Sequence, residues 1–238
     1  MRVIAIVFAC RKLAALEGAR TFSLDVLTME DALDLLRKIC GQERIDLELE
    51  TAARVVALCG LLPLAIRIAG ARLIQRSHWR ISQLASILVD EQRRLGALKV
   101  GDLEVRSSFA LSYDHEDEEV RHLFRLLGLV KTADFAAWVA APLLDCDQPA
   151  AEEVVDRLVD AQLLEVAGAD ASGGMRYRFH DLLRLFARER LSEEEPPSSV
   201  AEAERRLIAA YMRLTERSHI RQWPTGLRPE VRPSPRWP

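Results

Sequence analysis

Two short runs in this chain place residue types capable of chemistry at positions that expose them. The first is Cys59-Gly60-Leu61-Leu62-Pro63-Leu64-Ala65-Ile66. A proline in the first turn of a helix forfeits nothing by lacking its N–H, and it presents a flat apolar ring. The second is Phe179-His180-Asp181-Leu182-Leu183, where a strand pattern gives way to a helical one. Asp181 is the N-cap candidate, and His180 precedes it at the positive end of the helix, where anions settle. Taken singly, each run has a plainer reading: a corner between two helices, and a helix cap beside an incidental histidine.

The absences narrow the chemistry further. None of the eleven glycines is followed by Lys, so G-x-x-x-x-G-K-[ST] does not occur, and neither does G-x-G-x-x-G. Nothing in the chain therefore offers converging backbone N–H groups to a triphosphate. The five histidines are scattered at 78, 115, 122, 180 and 219, with no H-E-x-x-H, and no Cys–His or Ser–His–Asp set can be assigned. The four cysteines, at 10, 40, 59 and 146, contain no C-x-x-C. They read as buried thiols in a reducing cytoplasm rather than as a metal site or a disulfide framework.

The elements that must position these residues follow from composition and periodicity. The 238 residues are 49% hydrophobic and 29% charged, with a net charge of −3. That excludes a mostly disordered chain and a protein built wholly around a polyanion. Low aromatic content (6%) and abundant Leu, Ala, Arg and Glu favour helices. The apolar run 3–8 reads as a strand covered on both faces rather than as a leader peptide, and no stretch reaches the length of a membrane helix. Thr28, with Asp31 three residues on, opens a helix whose apolar face is Ala32, Leu35, Leu36 and Ile39; Gly41 ends it. Further helices are predicted over 47–59, 63–75 and 81–95. After a boundary at 96–101 come helices over 116–128, 136–144 and 150–162. Strands over 163–166 and 175–179 then flank a glycine-rich turn. Helices over 181–191 and 200–218 follow, separated by an acidic, proline-containing linker at 193–199. A Pro/Arg-rich tail at 221–238 reads as disordered.

Together the two runs resemble a known family. The stretches CGLLPLAIRIAGARL, VRSSFALSYDHEDEEVRHLFRLLGL and RYRFHDLLRLFARERL look like NB-ARC (STAND) signal-transduction ATPases. Within these they are most similar to the AfsR/SARP-type bacterial transcriptional regulators. The resemblance implies a mainly α fold: a nucleotide-binding-domain remnant over 1–27, an ARC helical subdomain over 28–99 and a winged helix over 100–195. A C-terminal helical region would begin over 196–220. It also implies ADP or ATP as cofactor in an intact member. Gly60, Leu62 and Pro63 would form the motif whose proline packs on adenine, and His180 and Asp181 the motif whose histidine meets the β-phosphate. Where the family has a second glycine, this chain has Leu61; where it has a sensor arginine, this chain has Cys10; where it has Met, this chain has Phe179.

These departures, with the missing phosphate loop, lead us to expect weak or no nucleotide binding and no hydrolysis by this chain itself. The resemblance further implies self-association through the NB-ARC module, a DNA-binding effector domain N-terminal to this segment, and a cytoplasmic location without membrane attachment. Direct DNA binding by this chain is not expected, although Arg176, Arg178, Arg184, Arg188 and Arg190 would support an alternative reading as a winged-helix DNA-binding regulator. A helical interaction scaffold, resting on the stripe Leu207–Leu214, is the third reading. The apolar strand at 3–8, with no flanking strands, predicts self-association that a shorter chain would lose.

Overall fold

The computed structural model describes residues 25–222 apart from Ser172, with side chains as far as Glu216. The strand expected at 3–8, the replaced sensor at Cys10 and the tail beyond 222 lie outside the described residues.

The first half is a helical bundle. Helix α1 (Met29–Cys40) starts where Thr28 Oγ1 accepts from the Asp31 N–H at 3.1 Å, and it stops at Gly41, whose φ of 90° only glycine adopts cheaply. A single turn, α2 (Gln42–Asp46), leads into α3 (Leu49–Leu58) and then α4 (Pro63–Gln75). Helices α1 and α4 cross closely because Gly70 has no side chain: a Cβ there would stand 2.6 Å from Ile39 Cγ2. The predicted helix over 81–95 is two helices, α5 (Ile81–Val89) and α6 (Glu91–Ala97). Asp90 divides them, its carboxylate accepting from the Gln92 N–H at 3.0 Å and so capping a new helix.

A two-residue-per-strand hairpin, β1 (Lys99–Val100) and β2 (Leu103–Glu104), then occupies the predicted boundary. Helix α7 (Val105–Asp114) follows, unanticipated by the sequence reading. The second half continues with α8 (Glu118–Leu127), strand β3 (Phe135–Ala136), a 3-10 turn at Ala137–Val139, α9 (Ala140–Leu144) and α10 (Gln148–Asp160). Strands β4 (Glu165–Ala169) and β5 (Met175–Arg178) form the predicted hairpin, and β3 joins them to give an antiparallel sheet in the order β3-β5-β4. Helix α11 (Asp181–Glu194) leads through Glu195 and Pro196 directly into α12 (Pro197–Gln222). The predicted linker is therefore two residues, its acidic part being the last turn of α11. Helix α12 docks on α9, where Arg206 donates to the Pro142 and Leu143 carbonyls at 2.7 and 2.8 Å.

The chain is mainly α-helical, and one continuous apolar core runs through both halves. Ile66, Leu73, Leu84 and Leu88 fill the bundle; Tyr113, Phe124, Leu158 and Phe186 fill the second half. Arg188 on α11 reaches back to Glu91 on α6 at 2.8 Å, tying the halves. Among the described residues no helix is long and apolar enough to cross a membrane.

Candidate functional site

The corner after α3 is a Schellman closure. Gly60, at φ +63°, donates to the Ala57 carbonyl at 2.8 Å, and Leu61 donates to the Val56 carbonyl at 3.1 Å, satisfying two end-of-helix carbonyls. Leu61 extends the left-handed turn at φ 57°, a conformation that costs a branched L-residue about 1–2 kcal/mol. The strain is held because both its backbone groups are bonded: its carbonyl accepts from the Leu27 N–H at 3.1 Å. Pro63 then occupies the first turn of α4, with its ring exposed.

At the other motif, Phe179 is buried, 4% exposed, with its ring edge-on to Phe124 at 5.4 Å between centroids. That anchor fixes the backbone just before α11. The N-cap is His180, not Asp181: His180 Nδ1 accepts from the Leu182 N–H at 3.2 Å. Asp181 is the first helical residue and is exposed, a carboxylate favoured at the positive helix end. The correction has a physical cause. Burial of Phe179 sets the position at which the chain leaves the strand, and the imidazole already supplies the acceptor that a capping carboxylate would have supplied.

The two motifs meet. His180 Nε2 lies 2.8 Å from the Gly60 carbonyl oxygen. Leu182 N–H is only a donor and Gly60 C=O only an acceptor, so the ring is the neutral tautomer with its proton on Nε2. Gly60 is required on steric grounds as well, since a Cβ there would stand 2.2 Å from His180 Cε1. Around this bond lies a cleft of about 420 Å³ lined by Asp25, Gly60, Arg178, His180, Asp181 and Arg184, among others. Of the predicted site residues, Gly60, His180 and Asp181 line this cleft; Leu62 and Pro63 do not.

The cleft's two arginines differ. Arg178 Nε donates to Glu165 at 2.9 Å, whereas among the described residues Arg184 bonds only the Ala133 carbonyl, at 3.2 Å, and its Nε is buried without a partner. The other arginines named for this half are also engaged. Arg176 bonds Asp134, Arg188 bonds Glu91 and the Gly128 carbonyl, and Arg190 bonds Glu193 and Glu194. The continuous basic face that the DNA-binding alternative needs is thus largely neutralised within the molecule.

A second polar cluster escaped the sequence reading. Arg125, on α8, is 3% exposed. Its guanidinium donates to the Tyr113 hydroxyl at 2.6 Å, Glu195 at 2.6 Å, Glu194 at 3.1 Å and Glu118. Burial opposes its charge, but these bonds outweigh the burial and hold the guanidinium protonated more firmly than usual. The Tyr113 hydroxyl is pushed up, first by burial and then by its bond to Glu194. The cluster clamps the end of α11 to α8. Burial likewise pushes the Cys59 thiol, next to Gly60, up to about 12, so it is a packing residue rather than a nucleophile. Among the described residues no group of His, Cys, Asp and Glu is arranged to hold a metal.

Fold and cleft together define a mainly helical two-part module, joined at a histidine-to-carbonyl bond and through α11. No protein-family model matches the chain. Over 204 residues it is 46% identical to Regulatory protein AfsR of Streptomyces griseus, an alignment covering 84% of this chain and 20% of that protein. Over 212 residues it is 43% identical to Regulatory protein AfsR of Streptomyces coelicolor, covering 87% of this chain and 21% of that protein. The chain is homologous to a segment of AfsR regulatory proteins, and it spans about a fifth of the length of these curated relatives.

Proposed function

We propose that this chain is the lid portion of an adenine-nucleotide-dependent switch in a cytoplasmic transcriptional regulator, with an ARC-type bundle and a winged helix as its two parts. The observation that carries the reading is the bond from His180 Nε2 to the Gly60 carbonyl, 2.8 Å long, which unites the two motifs singled out in the sequence. Similarity to AfsR regulatory proteins supports the regulatory role.

The cleft residues fit an anionic group. Arg184 offers a buried Nε with no partner among the described residues, and His180 and Arg178 line the same cleft. ADP or ATP would supply the charged phosphates whose presence or absence sets the state of the switch. Arg184 would meet that charge, Gly60 would allow close approach, and His180 would exchange its bond to the Gly60 carbonyl for one to the ligand. Pro63, exposed at the start of α4, is free to meet a flat base. With His180 on Gly60 the two halves are latched at the cleft; with His180 withdrawn, the shared apolar core and the ion pairs of α11 still join them, but the cleft is free to open. Self-association then belongs to the unlatched state.

The test is a chain extended to include a phosphate-loop domain. There, His180→Ala raises the ADP dissociation constant about tenfold, the worth of one hydrogen bond to a charged group. The unextended chain binds ADP weakly at best and does not hydrolyse ATP. Unchanged ADP affinity on His180→Ala, or low-micromolar affinity of the unextended chain, removes the proposal.

A further inference from the structure

Between Thr51 and Val89 the chain has no Asp or Glu, yet it carries Arg54, Arg67, Arg72, Arg76 and Arg80. In a protein of net charge −3 this is a concentrated positive segment. Among the described residues none of these five arginines forms an ion pair, although most of the other described arginines do. A free basic surface therefore lies on the bundle.

Three of the five, with exposed His78, gather at the corner joining α4 to α5. The corner is held rigidly. Arg44 donates to the Leu73 and Trp79 carbonyls at 3.0 and 2.7 Å. Glu48 accepts from the Ile81 and Ser82 N–H groups at 3.1 and 3.2 Å, capping α5 from outside. The carboxylate brought to this corner is thus committed to backbone amides and neutralises no arginine. Arg76 lies over the Trp79 ring at 4.2 Å. Arg72 is held below its ordinary value, first by burial and then by the charge of Arg76, which marks like charges left uncompensated.

Glu48 is bonded to the amides that follow Arg80, and its chain neighbours are Leu47 and Leu49. Both are exposed, Leu47 to 80%. We propose that this corner docks an acidic, leucine-bearing segment of a protein partner, with carboxylates opposite Arg76 and Arg80 and apolar side chains over Leu47 and Leu49. Nucleic acid fits less well. Its backbone rewards cations alone, and its interfaces are more polar than those between proteins, where arginine and apolar side chains mix without lysine. The inference does not depend on the nucleotide reading of the cleft.

The probe is a fluorescein-labelled peptide carrying Asp and Glu on one helical face and Leu on the other, titrated with the full chain by anisotropy. Binding is expected to weaken as salt rises. Arg76→Glu/Arg80→Glu should weaken it about tenfold or more, and Leu47→Ser severalfold, while the exposed control Arg93→Glu changes it less than about twofold. All variants alter exposed or solvent-facing groups, and matching melting curves check their folding. No binding, loss on Arg93→Glu to the same degree, or indifference to Leu47→Ser overturns the proposal. So does a random duplex that binds more tightly than the peptide and is indifferent to Leu47, which would make the corner a nucleic-acid site.

Discussion

Gly60 and His180 are separated by 120 positions in sequence and by a single 2.8 Å hydrogen bond in space. The bond is possible because Gly60 lacks a Cβ and takes a positive φ. The packing and the backbone conformation therefore make the same demand on one residue.

Gly60→Ala should lower stability by about 2–3 kcal/mol, the sum of left-handed strain and a lost hydrogen bond. The strain persists without the histidine, but the clash and the bond do not. In a His180→Ala background the same substitution should cost about 1–2 kcal/mol. Urea denaturation of the four proteins gives the coupling. Additive costs would mean that the two residues do not sense each other.

His180 has two tasks, which substitution separates. Asn at this position retains a side-chain acceptor for the first turn of α11 but cannot span to Gly60 as the imidazole does. His180→Asn should therefore be more stable than His180→Ala by about 0.5–2 kcal/mol, the ordinary worth of an N-cap, while both lose the link to Gly60. Thermal melts rank the pair. Hydrogen exchange across 57–62 should rise alike in both. Exchange that stays slow in His180→Asn would show the link surviving in another form.

How much of this was legible depended on how local each feature was. The helix starts at Thr28 and Pro63 and the stop at Gly41 are written in single residues with strong backbone preferences. The division of 81–95 was written too, in Asp90, but an apolar period running through Leu84, Leu88 and Leu95 masked it. Helix α7 was missed because Ser107, Ser108 and Ser112 dilute its face, and its apolar side is completed only by Phe124 and Phe186 from elsewhere in the chain. The cap on α11 was misplaced by one residue because histidine is not among the usual capping types and the anchor, Phe179, acts through tertiary packing. The contact of Gly60 with His180 has no periodic signature, and only the family resemblance hinted at it. Arg125 had none at all: its three carboxylates come from two separate helices and the turn after one of them.

Arg125 offers a test of that buried cluster. Glu195 has a side chain only 6% exposed, and removing its guanidinium partner strands the charge. Arg125→Ala should cost about 3–5 kcal/mol, whereas the longer apolar Arg125→Met combined with Glu195→Gln should recover part of that loss. The pH response carries a sign. Glu118 is held below the ordinary carboxylate range by its bond to Arg125, so its contribution is complete above that range and is lost as pH falls from it through the lowered native value. Asp117 behaves likewise through Arg157. Stability measured from pH 7 down to 3 should fall, and the part of the fall due to Glu118 should vanish in Arg125→Ala. An identical acid limb in that variant would contradict the assignment.

Leu61 reverses an ordinary ranking. In most positions glycine is less stable than alanine, because it surrenders more backbone freedom on folding. At Leu61 the backbone is left-handed, φ 57°, and its N–H and C=O are both bonded, so the conformation cannot relax without breaking the α3 closure. Both Leu61→Ala and Leu61→Gly lose the contacts of a half-buried side chain that packs on the core. Only glycine also sheds the strain, worth about 1–2 kcal/mol. Leu61→Gly should thus be more stable than Leu61→Ala by about 1 kcal/mol, and no less stable than the parent by more than about that amount. The measurement is chemical denaturation of three proteins under one condition. If alanine proves the more stable replacement, Leu61 does not hold the left-handed turn in solution. The corner that presents Gly60 to His180 would then have to be rebuilt around a different backbone path.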